Sequence, residues 1–292
     1  MPSLKDIRRR IVSIKNTQKI TRAMKLVSAA KFARANTAIV AARPYAKEFL
    51  KMQKEVLREA RTQGLSSSLV DQRSEQKSLV VIVSTDRGFC GSLNSNLFKT
   101  TSRFLKIKQK DGIDVHVIPW GKRARLFSQK QNYTILNPKE GVLERLNYQR
   151  AKELANELIT LFLKGDYDRV YLSFVEFRSA LVQNPKITQL LPVELVADSD
   201  EGEATNKKFL LEPNFVEIQK NILERGIRSQ IFRILLESAA SEHGARMTAM
   251  DSATNNASEV LRKMNIQYAR ARQAAITKEL IEITSGAEAL GN

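Results

Sequence analysis

The feature that most constrains the fold is an apolar seam near the C-terminal end of the chain. Its members are spaced alternately three and four residues apart for four heptads, as in a helix packed against another helix: Met247, Met250, Thr254, Ala257, Leu261, Met264, Tyr268, Ala271 and Ala275. No proline follows Pro213, and the only glycines between Pro213 and Gly286 are Gly226 and Gly244. We therefore predict a helix from Asn214 onward. At a rise of about 1.5 Å per residue it would be on the order of 100 Å long. The apolar seam of such a helix needs a partner helix to cover it.

The N-terminal end of the chain predicts that partner helix. Ser3 is a suitable N-cap, and Asp6 three residues later is close to a capping box. One helical face then carries a long apolar stripe: Leu4, Ile7, Ile11, Ile14, Phe32, Ala35, Ile39, Ala42, Ala46 and Phe49. Polar Gln18 and Thr21 fall on the same stripe, and Lys25 breaks it. Both helices flank the same middle region, so we expect them to run antiparallel.

Two features of the sequence predict that this helix pair is only moderately stable and that its first helix is irregular. The seam contains Ala, Met and Thr more than Leu and Ile, and small side chains bury little area, so the pair should be only moderately stable alone. Pro44 has no amide hydrogen, and we expect it to kink or briefly interrupt the first helix.

Glycine and proline gather in the middle of the chain, where short apolar runs predict strands. The predicted strands are residues 79–84, 113–118, 170–177 and 187–195. The predicted helices between them are residues 93–108, 122–130 and 146–163. This alternation indicates a largely parallel sheet covered on both faces. The predicted fold class is therefore mixed: a long antiparallel coiled coil of the N- and C-terminal helices plus a central α/β domain.

The net charge of +17 is unevenly distributed. Between Asp6 and Glu48 there is no acidic residue, whereas eleven residues are Lys or Arg. Such a stretch cannot neutralise itself through pairs at i,i+4. It calls for an acidic partner, and the charge alone leaves three classes open: another protein surface, a nucleic acid or anionic lipid.

Residues that could carry catalysis or bind a cofactor are few. Cys90 is the only cysteine, which excludes an internal disulfide, and neither His116 nor His243 has a companion at metal-ligand spacing. The loop Thr85–Asn94 contains GxxG, which is neither GxGxxG nor a P-loop. We interpret it as a tight strand-to-helix turn, with a bound nucleotide as the alternative. The sequence thus predicts no catalytic residue, no cofactor and no metal.

Four segments resemble the gamma-subunit family of F-type ATP synthases. They are residues 11–34 (IVSIKNTQKITRAMKLVSAAKFAR), 84–94 (STDRGFCGSLN), 246–256 (RMTAMDSATNN) and 276–289 (ITKELIEITSGAEA). They follow that family's order across the whole chain. The domains that the resemblance implies are an antiparallel coiled-coil shaft of residues 1–62 and 212–292, a Rossmann-like α/β domain of residues 75–198, and an exposed connecting segment of residues 199–211.

The resemblance also implies what such a shaft touches. The coiled coil would enter the ring of three alpha and three beta subunits. Its base, together with the epsilon subunit, would rest on the membrane c ring, so that proton flow is coupled to ATP synthesis or hydrolysis. The shaft would have no active site of its own, and it would regulate ATPase activity and proton flow.

The same family resemblance implies a location and a subfamily. The expected location is the cytoplasmic face of the bacterial inner membrane, as a peripheral subunit. Direct membrane insertion is not expected, because the longest apolar run, residues 79–83, is far too short to span a bilayer. The short middle domain indicates the bacterial type, without the photosynthetic regulatory insertion.

Individual contact residues are implied in the same way. The residues expected at the catch region of the beta subunit are Arg272, Gln273, Thr277, Glu279, Arg246 and Met24. The residues of the basic helix expected to contact a partner are Lys15, Lys19, Arg22 and Lys25. The candidates for contact with the c ring or epsilon are Phe209 and Leu210. The polar interruption between Gln18 and Lys25 is interpreted as an outward contact surface, and the tail near Leu290 as the part seated in a bearing at the far end of the ring.

Two other functions stay open on the residues alone. The first is a nucleic-acid-binding coiled coil, favoured by the basic arm because phosphate contacts need Lys and Arg. No aromatic residue suited to base stacking precedes Phe32, which counts against it. The second is a nucleotide-dependent enzyme built on the α/β domain, which the missing phosphate loop disfavours. The family resemblance implies neither.

Overall fold

The computed structural model describes residues 3–62, 64–65, 67–144, 146–193 and 215–290, without the side chains of residues 43, 45–47, 50, 61 and 286–290. Within these ranges the elements are α1 (Leu4–Thr62), β1 (Lys77–Val83), α2 (Leu93–Lys110), β2 (Asp114–Trp120), α3 (Lys122–Lys130), β3 (Thr134–Ile135), α4 (Tyr148–Leu163), β4 (Arg169–Phe177), β5 (Gln183–Leu191) and α5 (Phe215–Leu290). The predicted connecting segment 199–211, with Phe209 and Leu210, lies outside the described residues. Two compact units are present, Met1–Ala29 with Arg246–Asn292 and Ala30–Ala245, so α1 and α5 contribute to both.

In the unit of Met1–Ala29 and Arg246–Asn292, α1 and α5 pair in antiparallel orientation. As residue numbers rise along α1, those of their partners fall along α5: Gln18 meets Ser258, Thr21 meets Thr254 and Lys25 meets Asp251. The predicted seam is confirmed, because every member from Met247 to Ala275 is buried or partly buried, whereas most residues between seam positions are exposed.

The start of α1 also follows the sequence prediction. The Ser3 Oγ accepts a hydrogen bond from the Asp6 amide at 3.2 Å, and the Asp6 carboxylate accepts one from the Ser3 amide at 3.3 Å. This reciprocal pair is the predicted capping box, and it satisfies two amides that the first turn of a helix leaves without partners.

The unit Ala30–Ala245 contains a five-stranded sheet in the order β3-β2-β1-β4-β5. Strands β1 to β4 are parallel, and β5 is an antiparallel edge strand on β4. The parallel part has the strand order of the first half of a doubly wound fold. The predicted fold class, terminal helices paired in antiparallel plus a Rossmann-like α/β domain, is confirmed.

Alternate side chains of β1 enter two separate cores. Val80 and Ile82 pack with α2 and α3, whereas the odd-numbered residues from Leu79 to Val83 pack with α4 and with parts of α1 and α5. All of them are buried. This two-sided burial explains why β1 is a continuous apolar run instead of an alternating one.

Three details differ from the sequence prediction. Helix α1 continues through Pro44; the residue one turn earlier, Val40, is exposed, so water can satisfy its carbonyl group. The last strand is Gln183–Leu191 instead of 187–195, because an edge strand tolerates Pro185. The two-residue strand β3 is too short to produce any periodicity in the sequence.

Candidate interaction surfaces

Three polar layers cross the seam between α1 and α5. The Lys25 Nζ lies 2.6 Å from the Asp251 carboxylate, the Thr254 hydroxyl donates to the Thr21 Oγ at 2.8 Å, and the Gln18 amide nitrogen donates to the Ser258 Oγ at 2.6 Å. Polar groups that pair across a helix seam fix its register, since a shift along the axis would leave them unpaired. These layers therefore determine which part of α1 lies beside which part of α5.

The interpretation of this interruption as an outward contact surface is wrong for Gln18 and Thr21. Both side chains point at α5, and Thr21 is buried. The reason is that α5 supplies a hydroxyl at each matching level, Ser258 and Thr254, which the sequence of α1 alone could not reveal. These polar side chains interrupt the apolar composition of the seam, but they still pack against α5.

The outward side of the same stretch of α1 carries the predicted cations. Lys15, Lys19 and Arg22 are exposed. Lys25 is about half-exposed beside Asp251, and Met24 is partly buried.

Large apolar side chains are exposed on the same stretch of α1. Ile20, Leu26 and Val27 are each more than half exposed. Cations interleaved with exposed apolar side chains are typical of a protein-binding surface. A surface that only contacts phosphates would not need these apolar side chains.

The residues implied at the beta catch region divide into two groups. Arg272, Gln273, Thr277 and Glu279 are all exposed on α5. Arg246, by contrast, is only 8% exposed. Four of the residues are thus available to another protein, whereas Arg246 presents little surface.

Beyond Arg272, no other helix of the described residues lies beside α5. Extending the register of the three polar layers places the start of α1 opposite the segment around Arg272. From Ile276 to Ser285 every residue is exposed, and Ile276, Leu280 and Ile283 form an apolar stripe at helical spacing. An exposed apolar stripe of this kind predicts a protein contact.

The loop after β1 uses its polar groups internally. At the start of α3, the Lys122 amide donates to the Asp86 carboxylate at 2.9 Å, and the Ala124 amide donates to the Ser84 Oγ at 2.7 Å. Two amides at the start of α3, which helix termini leave without intrahelical partners, are thus occupied by side chains from the end of β1 and the loop that follows it. Ser84 and Asp86 therefore join the end of β1 and its loop to the start of α3.

Two residues near this loop have backbone conformations that we did not predict from the sequence. Phe89 has a φ of 62° and a side chain that is 70% exposed. Gly121 has a φ of 111°, and a Cβ there would overlap the Ser84 carbonyl oxygen. Gly121 is thus required where β2 turns into α3, while Phe89 is presented to solvent.

A partly buried charge cluster joins the segment before β1 to α2 and β4. The Glu75 carboxylate lies 2.7 Å from the Lys108 Nζ and accepts hydrogen bonds from Ser78 at 2.6 Å and Tyr171 at 3.0 Å. Burial raises the pKa of Glu75, but these hydrogen bonds more than offset it, so that its pKa lies below its ordinary value. The cluster stabilises the domain in its ionised form.

The remaining titratable candidates have structural contacts. The His116 Nδ1 lies 2.7 Å from the Tyr167 Oη, and its Nε2 lies 3.3 Å from Asp114. Cys90 is buried, and its Sγ accepts a hydrogen bond from Asn94 at 3.3 Å. In the part of the chain that the structure describes, no set of three His, Cys, Asp or Glu residues could hold a metal ion, and none of the helices there combines the length and apolarity needed to cross a membrane.

Comparison with known proteins agrees with this architecture. The sequence matches the family described as ATP synthase over residues 3–290. It is 46% identical to the ATP synthase gamma chain of Geobacter metallireducens, with 99% of both chains covered.

Two solved structures share the fold. One is the mitochondrial ATP synthase of Euglena gracilis, in a structure of OSCP, F1 and c-ring, with a TM-score of 0.68, 18% identity, and 98% of this chain and 94% of that chain covered. The other is the Tetrahymena thermophila mitochondrial ATP synthase, central stalk and c-ring, with a TM-score of 0.58, 22% identity, and 80% and 99% covered.

The chain combines a helix pair made from its two ends with an α/β domain, and the helix pair exposes cations and large apolar side chains, which defines a protein with helical surfaces available for contact. Its identity follows from the relatives, whose similarity covers the full chain. The chain belongs to the ATP synthase gamma chain family, in its bacterial form.

Proposed function

We propose that this chain is the central rotary shaft of an F-type ATP synthase. It couples proton flow through the membrane c ring to ATP synthesis or hydrolysis in the ring of three alpha and three beta subunits. The observation that carries the proposal is the antiparallel pair of α1 and α5, held in register by the three polar layers. Family membership and the central-stalk relative of like fold support it.

The physical task of such a shaft is to contact three identical neighbours unequally. A partner shifts a conformational equilibrium only by the difference in its contact free energy with each state. The helix pair is asymmetric in this respect, since Lys15, Lys19 and Arg22 give α1 a basic side, while Arg272, Gln273, Thr277 and Glu279 give α5 a mixed polar one. Rotation would bring these sides to each beta subunit in turn and so regulate ATPase activity and proton flow.

The same proposal includes the location and the remaining partners. The chain is a peripheral subunit on the cytoplasmic face of the bacterial inner membrane, it is not itself a catalyst, and its base contacts epsilon and the c ring. Phe209 and Leu210 are the proposed contact residues at that base. The proposed domain division is a shaft of residues 1–62 and 212–292, a Rossmann-like domain of residues 75–198, and a connecting segment of residues 199–211.

A pulldown from membranes, followed by mass spectrometry, tests the assignment. The tagged chain should recover alpha, beta, epsilon and c subunits together with ATPase activity, whereas the purified chain alone should bind no nucleotide by calorimetry. Recovery of nucleic acid without these subunits would support the coiled-coil alternative instead.

A charge reversal tests the basic side of α1. The variant Lys19→Glu with Arg22→Glu replaces two exposed cations by anions, so an acidic neighbour would repel it. We expect impaired assembly or loss of ATP-driven proton pumping in membrane vesicles. Normal pumping in vesicles that contain the variant at wild-type levels would rule out this contact.

A further inference from the structure

Methionines supply the apolar packing where the three polar layers join α1 to α5. In the stretch 18–28, α1 has four large apolar side chains, and Met24 is the only one that is not exposed; the others are Ile20, Leu26 and Val27. In the facing stretch 247–258, the large apolar side chains of α5 are Met247, which is partly buried, and Met250, which is buried. We call Met24, Met247 and Met250 the methionine cluster.

The methionine cluster flanks the ion pair of Lys25 with Asp251. Met24 directly precedes Lys25 along α1, and Met250 directly precedes Asp251 along α5. Met247 lies one helical turn before Asp251. An ion pair that is about half-exposed contributes little to stability. The stability of the helix pair at this level therefore depends strongly on the apolar area that the methionines bury.

Methionine is an apolar side chain that a mild oxidant makes polar. A hydroperoxide transfers one oxygen atom to the thioether sulfur: the S–O bond forms, the O–O bond breaks, and with hydrogen peroxide the second oxygen leaves as water. Sulfur loses two electrons, and the peroxide gains them. The sulfoxide oxygen is a hydrogen-bond acceptor, and burying it without a donor is costly. Leucine in the same place would not react.

We propose that the methionine cluster is an oxidation site that controls the pairing of α1 with α5. Met24 and Met247 are partly accessible and react first with a hydroperoxide. Their sulfoxides favour solvent over the helix pair, so the pair opens locally and admits the oxidant to Met250. A methionine sulfoxide reductase reverses the change: the sulfoxide oxygen leaves as water while two thiols are oxidised to a disulfide, and the pair closes again.

The only cysteine does not compete for the oxidant, because Cys90 is buried. Two other methionines provide comparisons within the chain. Met52 is exposed on α1 in the unit Ala30–Ala245, so it should react readily without affecting the pair. Met264 belongs to the seam, but its seam neighbours Leu261 and Tyr268 are large and partly buried. Oxidation of Met264 should therefore open the pair less than oxidation of the methionine cluster.

The test treats the purified full-length chain with hydrogen peroxide and follows each methionine by peptide mass spectrometry. We expect the exposed Met52 to gain oxygen first and the buried Met250 last, with Met24 and Met247 between them. Hydrogen exchange on the same sample should become about tenfold faster at the amides of the three polar layers. Exchange in the sheet of the α/β domain should not change. Treatment with the reductase and a thiol should restore slow exchange.

Leucine variants separate the methionine cluster from the other methionines. The cluster variant is Met24→Leu with Met247→Leu and Met250→Leu, and the control variant is Met52→Leu with Met264→Leu. Leucine and methionine have similar volumes, so both variants should exchange like wild type before treatment. After treatment the cluster variant should keep its slow exchange, whereas the control variant should lose it as wild type does.

Three results would overturn the inference. Complete oxidation of the methionine cluster, established by mass, with unchanged exchange would show that the pairing does not depend on the thioethers. Equal acceleration of exchange in the cluster variant would show that the peroxide acts elsewhere. Oxidation of Met52 without any oxidation of the methionine cluster would show that the cluster is not accessible. The first and third results need only the wild-type chain, so they decide the question even if the cluster variant does not fold.

Discussion

Reversing the charge of Lys25 should weaken the pairing of α1 with α5. Its Nζ lies 2.6 Å from Asp251, and the two side chains are 40% and 46% exposed. A pair this exposed contributes about 0.5 kcal/mol, and two carboxylates about 4 Å apart in water repel each other by about 1 kcal/mol. Lys25→Glu should therefore cost about 1.5 kcal/mol of local opening free energy.

Hydrogen exchange with mass spectrometry is the suitable assay, because it reports local opening of the helix pair separately from unfolding of the α/β domain. Asp251→Lys alone should cost a similar amount, since it places two cations together. The charge-swapped variant, Lys25→Glu with Asp251→Lys, should recover to within about 0.5 kcal/mol of wild type. Lys31→Glu, the same change at an exposed lysine on α1, should alter stability by less than about 0.5 kcal/mol.

The swapped variant decides whether the antiparallel register is correct. If it protects the amides around Thr21 and Thr254 no better than the two single variants, Lys25 and Asp251 do not face each other. Raising the salt concentration to about 1 M should shrink all of these differences, because screening then acts within about 3 Å.

Three further results are expected. Gly121→Ala should destabilise the protein by about 3 kcal/mol in urea unfolding, because it adds both an overlap with Ser84 and a strained φ. The control Gly141→Ala, at a φ of 68° but in open space, should cost only about 1 kcal/mol. Equal costs for the two variants would refute the overlap. Arg272→Ala with Gln273→Ala should lower ATP turnover of the assembled complex with no change in melting temperature, since both side chains are exposed; unchanged synthesis and hydrolysis rates would dismiss this contact. Glu75→Gln should cost about 2 kcal/mol at neutral pH. The lowered pKa of Glu75 stabilises the fold above its ordinary value of 4.5 and stops doing so as the pH falls further, so the variant and wild type should converge in unfolding measurements at acid pH; a constant difference down to the acid limit would contradict this.

The sequence alone predicted the elements whose periodicity is long or whose burial is complete. The nine-residue seam from Met247 to Ala275, the capping box at Ser3 and the apolar strand β1 were all found as predicted. Each of these features depends on local residue spacing or on burial on every side, and both can be recognised directly from the order of apolar and polar residues. The family resemblance likewise rests on local motifs.

The edge strand shows where local patterns are insufficient. Strand β5 is only partly buried and contains Pro185, so neither an apolar run nor strict alternation marks where it begins. Its limits depend on hydrogen bonding with β4. The pairing partner, and not the strand's own sequence, decides which residues belong to it.

Whether a polar residue faces inward or outward was decided only by tertiary structure. Gln18 and Thr21 lie inside the helix pair because α5 offers Ser258 and Thr254 at the same levels, whereas Lys19 and Arg22, close by in the chain, face solvent. Similarly, Lys108 is paired with Glu75, while Lys99 and Lys106 on the same helix are exposed. Residue order specified that two helices form and which stripe joins them, since helical periodicity is a local property. Which charges are paired and which remain available to another protein depends on groups distant in the chain, and only the folded arrangement brings those groups together.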